Sequence, residues 1–187
     1  MPEIVFPKDN ENEFIKLAEK LDIKELFFIY QFQKDIRSLN SKVKDLQKST
    51  KIKLRLGIFA SSKDIFKARQ SANFVITDSN DQSIFEKARP NIVFNLEQQE
   101  KKDHTHFRSS GFNQVLAKAA HKNKITIGFS LSSLNTNKRT LILGRMLQNL
   151  RFCKKYKVNT VFACFSSDPW DLRSEKDRIS LLNLLNQ

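Results

Sequence analysis

Short apolar runs alternate with amphipathic stretches along the chain. Ile4–Phe6, Leu26–Tyr30, Lys53–Phe59, Phe74–Thr77, Ile92–Leu96, Ile125–Ser130 and Thr160–Phe165 read as seven strands. Leu26–Tyr30 (LFFIY) is apolar throughout, as strands covered on both faces of a parallel sheet tend to be. In Glu13–Leu21, Phe14, Leu17, Ala18 and Leu21 keep the spacing of one helical face. Ile36, Leu39, Val43 and Leu46 do the same in Asp35–Gln47. Lys63–Arg69 and Ser83–Ala88 read as short helices, the second closed by Pro90. Phe112–Lys122, Lys138–Lys155 and Ser174–Leu185 complete the helical series. The last opens on Ser174 with Asp177 three residues on, an approximate capping box. Glu97–Ser110 is polar, has no period and is predicted to be a loop.

Strands alternating with helices through short connections predict an α/β fold with a parallel sheet and right-handed crossovers. The chain holds four glycines and no GxGxxG turn, which argues against a dinucleotide-binding, doubly wound sheet. Charged residues recur just after the strands. Both observations favour a compact, distorted TIM-type barrel, smaller than the roughly 250 residues usual for eight strand–helix units. No linker or low-complexity tract interrupts the pattern, so residues 1–187 are expected to form one domain.

The 33 Lys and Arg against 20 Asp and Glu give a formal net charge of +13. Such an excess points to anionic partners, nucleic acid first and an anionic membrane second. The apolar stripes are better used against a sheet than on a membrane surface, and no run approaches the roughly 20 apolar residues of a span. The opening residues, MPEIVFPKDNENEF, do not resemble a signal peptide. Cys153 and Cys164 lie among apolar neighbours and are expected to be free, buried thiols of a cytoplasmic protein.

Barrel enzymes place catalysis at the carboxyl ends of the strands. There this chain offers Asp9, Gln31, Ser61, Asp78, Asn95, Glu97, Ser130 and Ser166, but no histidine. His104 and His106 form an H-x-H pair inside the predicted loop, and a metal-dependent phosphoesterase would have to use them. His121 lies on the polar side of its helix. Ser166-Ser167-Asp168 before Pro169 reads as helix-start chemistry.

The basic residues carry the stronger signal. Lys118 and Lys122 fall outside the Phe112, Val115, Leu116 and Ala119 stripe. Arg145, Arg151 and Lys155 fall outside the Leu143, Met146, Leu147, Leu150 and Cys153 stripe, with Lys154 at its border. Arg89, Arg108, Arg139, Arg173 and Arg178 sit near helix ends or loops. Together these are the expected phosphate-contacting residues, positioning a partner without reading its sequence. The 16 Phe fall mostly in strands and helix stripes, so they are read as core and not as base-stacking platforms.

From Arg89 onward the chain resembles archaeal ribonuclease P protein component 3, the family of the eukaryotic thirty-kilodalton ribonuclease P subunit. The resemblance is carried by SGFNQVLAKAA at Ser110–Ala120 with ITIGFSLSSL, by Asn149-Leu150-Arg151 and Cys153-Lys154-Lys155-Tyr156, and by VFACFSS followed by Pro169-Trp170-Asp171-Leu172-Arg173 and Asp177. Departures from the family pattern are Gln114 in place of His, Gly128 in place of Glu, and Cys164-Phe165-Ser166-Ser167 in place of Ser-Ser-Gly-Ala. Glu3-Ile4-Val5-Phe6 replaces the acidic first strand of many members.

The resemblance implies a distorted TIM-type barrel related to metal-dependent phosphoesterases but lacking their metal site. It also implies a non-catalytic subunit of the ribonucleoprotein that removes 5′ leaders from precursor tRNA. Catalysis and its magnesium would belong to the RNA subunit, with no cofactor in this chain. The implied partners are ribonuclease P RNA, a small ferredoxin-like protein subunit and, indirectly, precursor tRNA, with no membrane. A metal-dependent phosphoesterase barrel and a purely structural protein-binding module are the competing readings.

Overall fold

The computed structural model describes residues 1–33, 35–100, 102–106 and 108–185; Lys101 and Phe107 of the predicted loop lie outside the described residues. Seven strands form one parallel sheet in sequential order: β1 Glu3–Val5, β2 Glu25–Gln31, β3 Lys53–Phe59, β4 Val75–Thr77, β5 Ile92–Phe94, β6 Thr126–Ser130 and β7 Thr160–Ala163. The α-helices are α1 Glu11–Lys20, α2 Ile36–Gln47, α3 Ile65–Ser71, α4 Gln114–Lys122, α5 Arg139–Tyr156 and α6 Glu175–Leu185. A π-helical turn, Ile84–Ala88, stands where a short helix was expected, and the left-handed Arg89 (φ 51°) ends it.

Local chemistry sets the boundaries. Asp35 caps α2 by accepting from Arg37 N and Ser38 N at 3.1 and 3.3 Å. Asn113 caps α4 by accepting from Val115 N and Leu116 N, so that helix starts after Phe112. Half of the capping box of α6 forms, with Asp177 N donating to Ser174 Oγ at 3.2 Å, while Ser174 Oγ donates to Asp177 Oδ2 at 2.8 Å. β5 stops at Phe94 because Asn95 turns left-handed (φ 56°).

Alternate side chains divide the apolar residues into two populations. Leu26, Phe28, Val93, Ile127, Phe129 and Phe162 face the helices. Ile4, Phe27, Ile29, Ile76, Ile92, Phe94, Val161 and Ala163 fill the barrel with Phe6, Phe59 and Phe165. At the carboxyl ends of the strands four rings close the mouth. Phe94 stacks on Phe165 at 4.6 Å between centroids, and Phe6 meets Phe94 and Phe59 at 5.6 and 6.0 Å. Phe165 reaches this position through a left-handed backbone (φ 49°), uncommon for an aromatic residue. Gly128 leaves room for the pair, since a Cβ there would lie 2.7 Å from Phe165 Cζ and 3.0 Å from Phe94 Cβ.

The barrel closes between β1 and β7. Two backbone bonds join them near the mouth, Phe165 N to Ile4 O and Phe6 N to Ser166 O, both 2.9 Å. Below these, side chains replace the ladder. Glu3 Oε1 accepts from Cys164 N at 2.6 Å and Ile4 N at 3.1 Å. Arg178, reaching in from α6, donates to Pro2 O, Phe162 O and Met1 O at 2.9–3.1 Å. Its Nε lies 3.2 Å from Glu3 Oε2, and both side chains are fully buried. Burial pushes the Glu3 carboxyl above its ordinary range, and the Arg178 guanidinium opposes that rise.

Arg178 was expected to reach phosphates, and this placement corrects the expectation. The α6 helix lies over the seam, so a cation near its start points into the barrel wall. Arg178→Ala should strand a buried carboxylate and cost about 3–5 kcal/mol in denaturant unfolding. The double variant Glu3→Gln with Arg178→Met should recover part of that loss. A cost under about 1 kcal/mol for Arg178→Ala would show that the seam does not depend on the pair.

Candidate nucleic-acid interface

The loop from Glu97 to Ser110 packs across one side of α5, and polar side chains of that helix hold it. Arg145 donates through Nε to Asp103 Oδ1 at 2.8 Å, and through Nη1 to the carbonyls of Glu97 and Glu100 at 2.8 and 2.7 Å. Asn149 Nδ2 donates to Glu97 Oε1 at 3.2 Å. Gln148 Nε2 reaches Arg108 O at 3.0 Å and Ser110 Oγ at 3.1 Å. Asp103 also accepts from Ser109 N.

Arg145 is therefore 1% exposed, and its expected place among the phosphate contacts is corrected. The helix period identifies the stripe facing the sheet, but the loop covers a second side of α5. Gly144, Arg145 and Asn149 are buried there, while Leu143 and Leu147 remain half-buried.

Burial pushes the Glu97 carboxyl up to about 7, opposed by its own backbone N–H, Asn149 and Arg145. The buried Cys153 thiol is pushed up to about 12 by burial and then by Glu97. Burial likewise raises the Cys164 thiol. Both cysteines are free and buried, as the sequence led us to expect.

Outside this buried hub the loop and α5 form a groove of about 550 Å³ lined by Arg108, Arg151, Lys155 and His106, with Leu147 and Phe152 in its apolar part. The Arg108 guanidinium rests against Gly144, where a Cβ would lie 2.5 Å from Arg108 Cζ. Thus the structure brings Arg108, Arg151 and Lys155 together. Lys118 and Lys122 are exposed one turn apart on α4, which is tied to α5 by Tyr156 Oη donating to Gln114 Oε1 at 3.2 Å.

The other expected contacts are dispersed. Lys154 and Arg139 are exposed on α5, and Arg89 is exposed beyond the π-helical turn. Arg173 is exposed in the connection after β7, donating to Trp170 O and Leu172 O at 2.9 and 2.8 Å. Trp170 beside it is 77% exposed, a feature the sequence reading missed. Its sequence signals are its place in a turn, immediately after Pro169, and its membership of the motif that carries the family resemblance.

The remaining candidates take structural places. Asp168 caps the 3₁₀ turn Pro169–Asp171 by accepting from Trp170 N at 3.0 Å. His121 Nδ1 pairs with Lys157 O at 2.9 Å beyond the end of α5. His104 and His106 lie on exposed loop positions. Among the described residues, no three His, Cys, Asp or Glu side chains gather as a metal site would require. Asp78, just after β4, has its carboxyl pushed up by burial.

These features define a closed parallel α/β barrel with an apolar mouth and a basic groove on its flank. No family model matches the chain. Its sequence is similar to ribonuclease P protein component 3 of Methanosarcina acetivorans, 39% identical over 77 residues, and of Thermococcus kodakarensis, 34% identical over 77 residues. Each match covers 40% of this chain; they span 32% and 35% of the two relatives, so about a third of their length is matched.

The fold is similar to that of a chain in a cryo-EM structure of archaeal ribonuclease P with mature tRNA (TM-score 0.81, 20% identity, covering 99% of this chain and 82% of that one). It is also similar to histidinol phosphate phosphatase from Lactococcus lactis, complexed with zinc, L-histidinol and phosphate (TM-score 0.72, 11% identity, 98% and 91% covered). The resemblance read from Arg89 onward and the TIM-type barrel are thereby borne out. No described helix is long and apolar enough to cross a membrane.

Glu97 makes stability depend on pH. The folded protein keeps this proton to about pH 7, whereas the unfolded chain releases it near the ordinary value of 4.5. The native state binds more protons between those values, so stability falls as pH rises through that window and levels above it. Glu97→Gln keeps an acceptor for Asn149 and should remove the fall. By denaturant unfolding it should exceed the parent by roughly 1–3 kcal/mol at pH 8 and match it at pH 4. An equal effect at both pH values would contradict the assignment.

Proposed function

We propose that this chain is a non-catalytic protein subunit of ribonuclease P, stabilising the catalytic RNA for removal of 5′ leaders from precursor tRNA. The observation that carries the reading is the groove of Arg108, Arg151 and Lys155 on a barrel whose mouth is filled by Phe6, Phe59, Phe94 and Phe165. Cations placed on the flank neutralise phosphates, and arginine does so in a bidentate geometry. Phosphate neutralisation lets the RNA hold its active conformation at lower magnesium.

Catalysis and its magnesium lie with the RNA in this proposal, and the chain carries no cofactor of its own. The 1–187 barrel acts in the cytoplasm as one domain, beside a small ferredoxin-like protein subunit, and meets precursor tRNA only indirectly. The contacting residues proposed are Arg89, Arg108, Lys118, Lys122, Arg139, Arg151, Lys154, Lys155 and Arg173. Arg145 and Arg178 are left out because both are buried.

If about six phosphates are met, the logarithm of affinity for ribonuclease P RNA should fall with the logarithm of salt at a slope of roughly −4 to −5. Arg151→Glu with Lys155→Glu should leave the melting temperature unchanged, reduce that slope by about 2 and weaken binding at least about tenfold. Arg145 is excluded from this reversal because its loss would release the loop. Unchanged affinity and slope in the folded double variant would remove this groove from the interface. Stoichiometric zinc or manganese in the purified protein, lost on His106→Ala, would favour the phosphoesterase reading instead.

A further inference from the structure

We propose that the groove between α5 and the 97–110 loop is a site for an unpaired nucleotide, taking both a base and its phosphates. The proposal rests on the RNA-binding reading and adds the chemistry of what this groove receives. A surface that met only phosphates would need cations alone. Here Arg108, Arg151 and Lys155 surround an apolar floor of Leu147 and Phe152. The volume, about 550 Å³, lies in the range of pockets that hold small molecules. The bases of a paired A-form helix are turned inward and read mainly by shape, whereas unpaired bases stack on aromatic side chains and on arginine. Acidic side chains do not line this groove, which favours an anionic occupant.

Arg108 lies against α5. Its backbone carbonyl accepts from Gln148 Nε2 at 3.0 Å, and its guanidinium rests on α5 at Gly144. A glycine inside an 18-residue helix is destabilising relative to alanine. The nearest groups that a Cβ at Gly144 would meet all belong to Arg108. Gly144 thus fits a seat for this one side chain, which places the guanidinium beside the Leu147 and Phe152 floor. Arginine is suited to both tasks, stacking on a base and pairing with phosphate.

The test uses the full chain and fluorescence anisotropy with three probes: a short single-stranded RNA, the same strand with abasic positions, and its blunt duplex. The single strand should bind at least about fivefold more tightly than either of the others, the scale of one stacked base. Gly144→Ala and Arg108→Lys should each weaken single-strand binding by about fivefold or more, a larger factor than either costs duplex binding. Gly144→Ala should keep or raise the melting temperature, which separates lost binding from unfolding. Arg151→Gln with Lys155→Gln should weaken all three probes.

Equal binding of intact and abasic strands, or an unaffected Gly144→Ala, would overturn the base site while leaving the phosphate-contacting reading intact. Equal or tighter binding of a glutamate-rich peptide would also overturn it, in favour of a protein partner. Failure of every RNA probe, and of ribonuclease P RNA itself, would instead remove the reading on which the proposal rests.

Discussion

The barrel depends on how its first and last strands meet. Backbone bonds join β1 and β7 only near the mouth. The rest of the seam is made by a buried carboxylate and a buried guanidinium. Glu3 takes the place of a strand carbonyl for Cys164 N, and Arg178 satisfies a carbonyl of β7 and those of the two residues before β1. Neither charge is tolerable alone in that environment. The pair fixes α6 to the seam and leaves the interior free to be apolar. Below the mouth, closure therefore depends on a buried pair 175 residues apart in the chain, between the first strand and the last helix.

An apolar interior has a direct consequence for chemistry. The mouth of a barrel is where catalytic groups are normally assembled. Here four phenylalanines occupy it, one of them at a positive φ and packed into the space above Gly128. The fold is shared with a zinc-containing phosphatase structure, but the polar groups of this chain are concentrated elsewhere. Its organised chemistry is on the flank, where the buried Arg145, Asn149 and Glu97 hold a loop against α5. That arrangement converts an aperiodic segment into one wall of a basic groove.

Much of this was legible in sequence. The seven strands and the principal helices follow from period and caps, because each reports a local preference that packing reinforces. The caps at Asp35, Asn113 and Ser174 are local as well. Arg145 and Arg178 were not legible as buried groups. An arginine off the apolar stripe is ordinarily solvated, and only a tertiary contact reverses this: the loop over α5 in one case, the seam under α6 in the other. Glu3 was hidden for the same reason. Gly128 and Phe165 were visible as departures from a family pattern, but their meaning needed the ring stack that joins them. Gly144 gave no signal beyond being a glycine inside a helix, and its reason is a side chain 36 residues earlier.

The role proposed for this barrel is to assist an RNA catalyst without itself catalysing cleavage. Its most direct measurement is cleavage of precursor tRNA by the catalytic RNA and its other protein subunits, across a magnesium titration, with and without this chain. In that proposed role, the chain should lower the magnesium needed for half-maximal cleavage by about twofold or more and should cleave nothing when the RNA is omitted. Cleavage by the chain without the RNA, or an unchanged magnesium requirement when the folded chain is added, would contradict it.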